Sequence, residues 1–176
     1  SLGDAGATVK LTLVNFDTLQ GGSGKDTFDV SAAAPSLRGG EGDDVFLLKA
    51  GGSTASLDGE GDSDELSYAT RSTPVTVTIA SAGANGLGGA GTNVTSFAGI
   101  ETVTGGSGGD TFNVNANVGA GRTVRGGGGN DTFNVANGVT VAGTLDGEGG
   151  ADTLDLSASA SALSVFVTAS TADGYT

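Results

Sequence analysis

The residues with chemistry to offer are aspartates that recur at a fixed distance behind glycines. Six segments share one arrangement: an apolar residue, any residue, a glycine, an aspartate five positions after that glycine, and a large apolar residue two beyond the aspartate. Three fall early, Leu19–Phe28 around Asp26, Leu37–Phe46 around Asp44 and Leu57–Leu66 around Asp64. Three fall late, Val103–Phe112 around Asp110, Val124–Phe133 around Asp131 and Leu145–Leu154 around Asp152. A glycine-rich turn bends sharply enough to aim carbonyl oxygens at one spot, because glycine takes left-handed backbone angles without a Cβ penalty. The aspartate adds a carboxylate, and such an all-oxygen set suits a hard divalent cation.

Composition narrows the chemistry further. The 176 residues include no His, Cys, Met or Trp. Zinc sites of Cys and His are therefore impossible, as are Ser–His and Cys–His catalytic pairs. Twenty acidic residues face seven basic ones, for a net charge of −13. Such a surface attracts divalent cations and repels nucleic acid and anionic membrane. No apolar run approaches the ~20 residues that span a bilayer. Neither a nucleic-acid partner nor membrane insertion is expected. Glycine is abundant, 34 residues against 2 prolines, yet the three-residue period of collagen is missing. The 36% of hydrophobic residues recur at fixed offsets from the glycines, unlike those of a disordered linker.

The elements that position the aspartates follow from two periods. Asp26 to Asp110 is 84 residues, Asp44 to Asp131 is 87 and Asp64 to Asp152 is 88. Phe16-Asp17-Thr18-Leu19 parallels Ile100-Glu101-Thr102-Val103, and Leu66-Ser67-Tyr68-Ala69 parallels Leu156-Ser157-Ala158-Ser159. The chain reads as one continuous solenoid fragment over residues 1–176, just under two copies of an 84–88-residue unit, approximately 1–80 and 81–176, since repeats of this kind stack. Within the units successive aspartates are 18, 20, 21 and 21 residues apart. Apolar residues alternate after each one, as in Phe28/Val30, Phe46/Leu48, Phe112/Val114 and Phe133/Val135, which marks short strands with one buried face.

The expected fold is all-β, a right-handed parallel β-solenoid with about 18–21 residues per turn, its hand following the preference of parallel crossovers. Eight or nine turns about 4.8 Å apart would make a rod roughly 40 Å long. The six aspartate turns are expected on one edge, with Phe28, Phe46 and Leu66 stacked inside, and Phe112, Phe133 and Leu154 likewise. Ser1–Val14 and Thr168–Thr176 would be the least ordered parts, because bare end turns need covering.

The sequence Gly-Gly-x-Gly-x-Asp-x-apolar-x resembles the nonapeptide of the RTX, or haemolysin-type calcium-binding, family. Four segments keep its three glycines: Gly21/Gly22/Gly24, Gly39/Gly40/Gly42, Gly105/Gly106/Gly108 and Gly126/Gly127/Gly129. The resemblance implies Ca2+ held between loops one turn apart, since calcium takes 6–8 oxygen ligands and one loop offers fewer. The implied ligands are the carbonyls of those glycine turns and the carboxylates of Asp26, Asp44, Asp110 and Asp131, with Asp64 and Asp152 as weaker partners. Glu60 and Glu148 stand where the second glycine belongs. They either close each ladder with a carboxylate or mark dead sites. The aspartates have an alternative role too, capping turns through hydrogen bonds to backbone N–H groups. Arg38 and Arg125, just before glycine pairs, temper the acids. The family's repeats run every nine residues, whereas here the opposite edge reads Ser31–Pro35, Lys49–Thr54 and Asn117–Gly121, without a carboxylate. One row of ions at most is expected.

The wider unit, with Gly99–Gly106 at its opening and Asp64–Tyr68 at its exit, is similar to repeats of very large bacterial exoproteins and adhesins. That implies no enzyme but a calcium-stabilised stalk or spacer, secreted or on the bacterial cell surface, whose partners are adjoining repeats of the same chain. The alternative is an RTX-type C-terminal module that aids secretion and folding of an exported enzyme or toxin, although such modules use dense tandem nonapeptides. A hydrolase on a β-helix fits poorly, because catalytic carboxylates should break a repeat and the paired ones here all lie within it. An ice-binding threonine face is suggested by Thr76 and Thr78, but the corresponding Leu163–Val167 carries no threonine.

Overall fold

The computed structural model describes residues 15–162. The first part holds β1 (Thr18–Gln20), β2 (Thr27–Val30), β3 (Ala33–Ala34), β4 (Ser36–Gly40), β5 (Val45–Leu48), β6 (Ser53–Glu60) and β7 (Glu65–Ser67). Three longer strands follow, β8 (Thr76–Gly83), β9 (Gly86–Gly91) and β10 (Val94–Ile100). The last part holds β11 (Thr102–Thr104), β12 (Thr111–Val114), β13 (Thr123–Arg125), β14 (Thr132–Val135), β15 (Thr144–Asp146) and β16 (Thr153–Asp155). The described residues contain no helix.

These strands make two sheets. A ten-stranded sheet runs β1-β4-β6-β10-β9-β8-β12-β14-β16 with β3 beside β6, and a six-stranded sheet runs β15-β13-β11-β7-β5-β2. Every pairing is parallel except the two made by β9. The fold is therefore the expected parallel β-solenoid, in about seven turns. It is shorter than eight or nine turns because one turn absorbs all of β8, β9 and β10.

The alternation seen in the sequence builds the core. Leu19, Leu37, Leu57 and Phe97 stand in register in the larger sheet, and so do Val77, Phe112, Phe133 and Leu154. In the smaller sheet the column is Phe28, Phe46, Leu66, Val103, Val124 and Leu145. Phe28 stacks on Phe46 with ring centroids 4.8 Å apart, and Phe112 on Phe133 at 4.9 Å. Each fully buried side chain of this size contributes about 1.5–3 kcal/mol, so the columns are the main support of the rod. Leu154 corrects one expectation. It stacks on Phe133 but stays 54% exposed, because no described strand lies beyond β16. The expectations for Ser1–Val14, Leu163–Val167 and Thr168–Thr176 concern segments outside the described residues.

A second correction concerns the edges. In the first part each motif carries the chain from the larger sheet to the smaller, β1 to β2, β4 to β5 and β6 to β7. In the last part the motifs cross the other way, β11 to β12, β13 to β14 and β15 to β16. Parallel strands fix each direction of crossing to one side, so three motifs lie on each edge rather than six on one. The cause is the segment between them. From Asp64 the chain passes β7, then β8, β9 and β10, then β11 before reaching Asp110. That path is one and a half circuits, and the motif returns on the opposite edge.

Candidate metal centre

Each edge carries a ladder of carboxylates. On the first edge Asp26, Asp44, Asp64 and Glu101 directly precede β2, β5, β7 and β11. The backbone N–H of Asp26 donates to Asp44 Oδ1 at 2.7 Å, that of Asp44 to Asp64 Oδ1 at 2.9 Å, and that of Asp64 to Glu101 Oε2 at 3.0 Å. On the second edge the N–H of Val75 donates to Asp110 Oδ1 at 2.8 Å, that of Asp110 to Asp131 Oδ1 at 2.7 Å, and that of Asp131 to Asp152 Oδ1 at 2.9 Å. Asp44, Asp64, Asp110, Asp131 and Asp152 thus each accept from the backbone of the turn before their own, and one oxygen of each is committed to stacking the coil.

The other oxygen separates the rungs. At the foot of each ladder it is tied within its own loop: Gly22 N–H donates to Asp26 Oδ2 and Gly106 N–H to Asp110 Oδ2, both at 2.6 Å. Further along, the residue after the first glycine takes a left-handed conformation, with φ of 114° at Gly40, 70° at Glu60 and 97° at Gly127. In those three loops Oδ2 of Asp44, Asp64 and Asp131 is buried with no hydrogen-bond partner. A buried acceptor without a donor is costly, and a buried charge more so. Burial accordingly pushes the Asp44 and Asp131 carboxyls above the ordinary range, against the backbone hydrogen bonds that favour the charged form, with neighbouring acids adding to the rise. Burial pushes Asp64 up to about 7, helped by Asp44, Glu101 and Asp43. The three loops contain no Lys or Arg, and Lys25 of the neighbouring loop only partly offsets the rise at Asp44.

The first glycine of each motif is required by a close approach. A Cβ on Gly21 would strike Asp26 Oδ2 and the Gly39 carbonyl oxygen, and on Gly39 it would strike Asp44 Oδ2 and the Gly59 carbonyl oxygen. The same pair recurs at Gly105 with Asp110 Oδ2 and the Gly126 carbonyl, and at Gly126 with Asp131 Oδ2 and the Gly147 carbonyl. A carboxylate oxygen and a carbonyl oxygen of the next loop are thereby brought over one backbone point. Among the described residues no three acidic side chains converge, so backbone carbonyls would have to supply most ligands. The residues fit an oxygen-seeking cation such as Ca2+, which accepts carbonyls and carboxylates together. The later glycines set loop spacing: Gly42 and Gly129, with φ of 105° and 110°, press on the backbones of Gly24 and Gly108.

Glu60 and Glu148 point elsewhere. Glu60 takes Arg38 Nη1 at 3.2 Å and Gln20 Nε2 at 2.9 Å, while Glu148 lies 3.7 Å from Arg125 Nε. Both carboxylates face arginines on the sheet surface. Beneath the second ladder the segment from Tyr68 to Val75 replaces a motif loop. Ser107 N–H donates to the Arg71 carbonyl at 2.8 Å, and the buried Arg71 guanidinium lies 5.8 Å above the Tyr68 ring.

Two acidic positions of the ladders escaped the motif. Asp62 holds the place of the third glycine with φ of 69° and accepts from Gly42 N–H at 2.9 Å. Glu101 belongs to the first ladder. A shorter pattern would have found it, an acid followed by Thr and a large apolar residue: Asp26-Thr27-Phe28, Asp110-Thr111-Phe112, Asp131-Thr132-Phe133 and Glu101-Thr102-Val103.

No curated protein and no solved structure matches the chain. The RTX calcium-binding nonapeptide repeat matches in four copies, at residues 15–34, 36–54, 123–139 and 144–159. These hold Asp26, Asp44, Asp131 and Asp152. The loops of Asp64 and Asp110 fall outside the copies yet keep the same column and the same backbone hydrogen bonds. Those four stretches therefore carry RTX calcium-binding nonapeptide repeats, a repeat whose ligand is Ca2+ and which occurs in secreted bacterial proteins.

Proposed function

We propose that this segment is a calcium-stabilised stalk or spacer, without catalysis, in a secreted or cell-surface bacterial adhesin or matrix protein. The observation that carries the reading is the buried, unpartnered carboxylate oxygens on both edges, Asp44 and Asp64 on the first and Asp131 on the second. In this reading Ca2+ sits between successive loops. Its ligands are carbonyls of the glycine turns at 21–24, 39–42, 105–108 and 126–129, with the carboxylates of Asp26, Asp44, Asp64, Asp110, Asp131 and Asp152. Bound calcium supplies the charge that offsets these carboxylates. The chain's own atoms stack the turns, bury Asp44, Asp64, Asp110 and Asp131 and aim the carbonyls.

The ends of the described rod support adjoining repeats as partners. Phe16 is 63% exposed before β1 and Leu154 54% exposed in β16, apolar surface that further turns would cover. A cation that binds only the folded form adds about 2.7 kcal/mol when present at 100 times its dissociation constant. For a domain of this size that is roughly 5–10 °C of melting temperature per site. Thermal unfolding followed by circular dichroism, with calcium and then with excess chelator, tests the reading. Melting should fall by at least this much on chelation, and identical curves would contradict it.

A further inference from the structure

The geometry points to a further Ca2+ site outside every nonapeptide motif, between the Gly59–Asp64 loop and the Gly99–Glu101 corner, with Glu101 as a side-chain ligand. The inference rests on the reading that the ladders bind calcium, and extends it to a rung that carries no motif.

Glu101 occupies the column of the motif aspartates. Thr102 is in register with Glu65, as Glu65 is with Val45 and Val45 with Thr27, so the residue before each strand falls on one line. The hydrogen bonds repeat as well. Val45 N–H donates to the Asp26 carbonyl at 3.0 Å, Glu65 N–H to that of Asp44 at 2.9 Å, and Thr102 N–H to that of Asp64 at 3.0 Å. In the motif five positions separate glycine and aspartate, whereas Gly99 and Glu101 are two apart. The corner is too short to wrap as a loop, and the longer glutamate side chain reaches the N–H of Asp64 that an aspartate reaches elsewhere.

The oxygens over the glycine repeat too. A Cβ on Gly59 would meet Asp64 Oδ2 and the Gly99 carbonyl oxygen, the same pair found at Gly21 and Gly39 with their own next loops. Gly99, with φ of 62° at a sharp corner, offers its carbonyl over Gly59 as Gly59 does over Gly39. Asp64 is 1% exposed and its Oδ2 has no partner, a buried acceptor that a cation at this rung would satisfy. The last loop of the second ladder lacks this cover. Around Gly147 the three nearest atoms all belong to Asp152.

Anomalous diffraction from calcium-loaded crystals of the wild-type chain should show an ion in contact with Asp64 Oδ2 and the Gly99 carbonyl. Native mass spectrometry should count one ion fewer on Glu101→Gln than on the wild type. Ions at other rungs with none here, or an equal count on Glu101→Gln, would overturn this inference and leave the calcium reading standing. A wild type that binds no calcium would overturn both. The diffraction arm does not depend on how the variant folds.

Discussion

The two edges of the rod differ in how their ladders begin and end. On the first edge three motif loops are followed by the Gly99–Glu101 corner, so the Asp64 loop is covered from above. On the second, the ladder starts on the motif-free segment that ends at Val75 and finishes at Asp152, whose loop is exposed. The same nine-residue pattern therefore meets different surroundings from rung to rung. The Gly21–Asp26 loop keeps every motif glycine, yet its own amide ties up Asp26 Oδ2. The Gly59–Asp64 loop has Glu60 and Asp62 in place of two glycines, yet it holds the carboxyl pushed highest. Position in the ladder, more than fidelity to the motif, decides which carboxylate is buried without a partner.

The sharpest way to break this comparison is at a glycine. Gly39→Ala places a methyl against Asp44 Oδ2 and the Gly59 carbonyl, and should cost roughly 1–3 kcal/mol from overpacking alone. Gly24→Ala meets nothing within 4 Å and should change stability by less than about 1 kcal/mol. Chemical denaturation of both variants in calcium checks the contrast. Equal losses would mean the close approach at Gly39 is not what the glycine serves.

Aspartate variants sharpen it from the other side. Asp64→Asn removes a buried charge but keeps an oxygen for the N–H of Asp44. In chelator at pH 8 it should raise stability by about 1 kcal/mol, because the unpaired charge is gone, while in calcium it should lower it. Asp152→Asn, at the exposed end, should shift both by a smaller amount. Paired melts with and without calcium read the reversal.

The pH dependence follows from the raised carboxyls of Asp44, Asp64 and Asp131. A folded-state value above the unfolded one means the folded chain holds the proton longer. Stability from these groups is complete below the unfolded value near 4 and is lost as pH rises through the folded value, about 7 for Asp64. The chelated chain should therefore melt higher at pH 4 than at pH 8. Calcium should erase the difference, since it binds the ionised form. The smallest effect belongs to Glu60→Ala, which deletes a surface pair with Arg38 worth under about 1 kcal/mol.

Much of this was legible in the sequence. The alternation around Phe28, Phe46, Phe112 and Phe133 located strands and core columns, because period two leaves one set of side chains facing inward. The placement of the loops on edges was not legible. It depends on counting half-circuits, and β9 hides a strand in Gly86-Leu87-Gly88-Gly89-Ala90-Gly91, which reads as a glycine-rich loop. Its glycines are there for closeness: a Cβ on Gly89 would strike the Thr78 carbonyl and one on Gly91 the Tyr68 hydroxyl. Nor did the repeat show which strand lies beside the one after Pro74, which pairs with β12 in register Thr76–Thr111 and Thr78–Asn113. Glu101 was missed because the motif was defined by its glycines, and the ladder is defined by the residue before each strand.

Amide hydrogen exchange with and without calcium tests the central claim most directly, since it reads both edges of one chain at once. The account predicts that calcium slows exchange in the loops around Asp44 and Asp64 on the first edge and around Asp131 on the second, with a smaller change near Asp152. Protection confined to one edge would contradict two separate ladders. Exchange unchanged at all of these loops would show that the aspartates only stack the turns and hold no calcium.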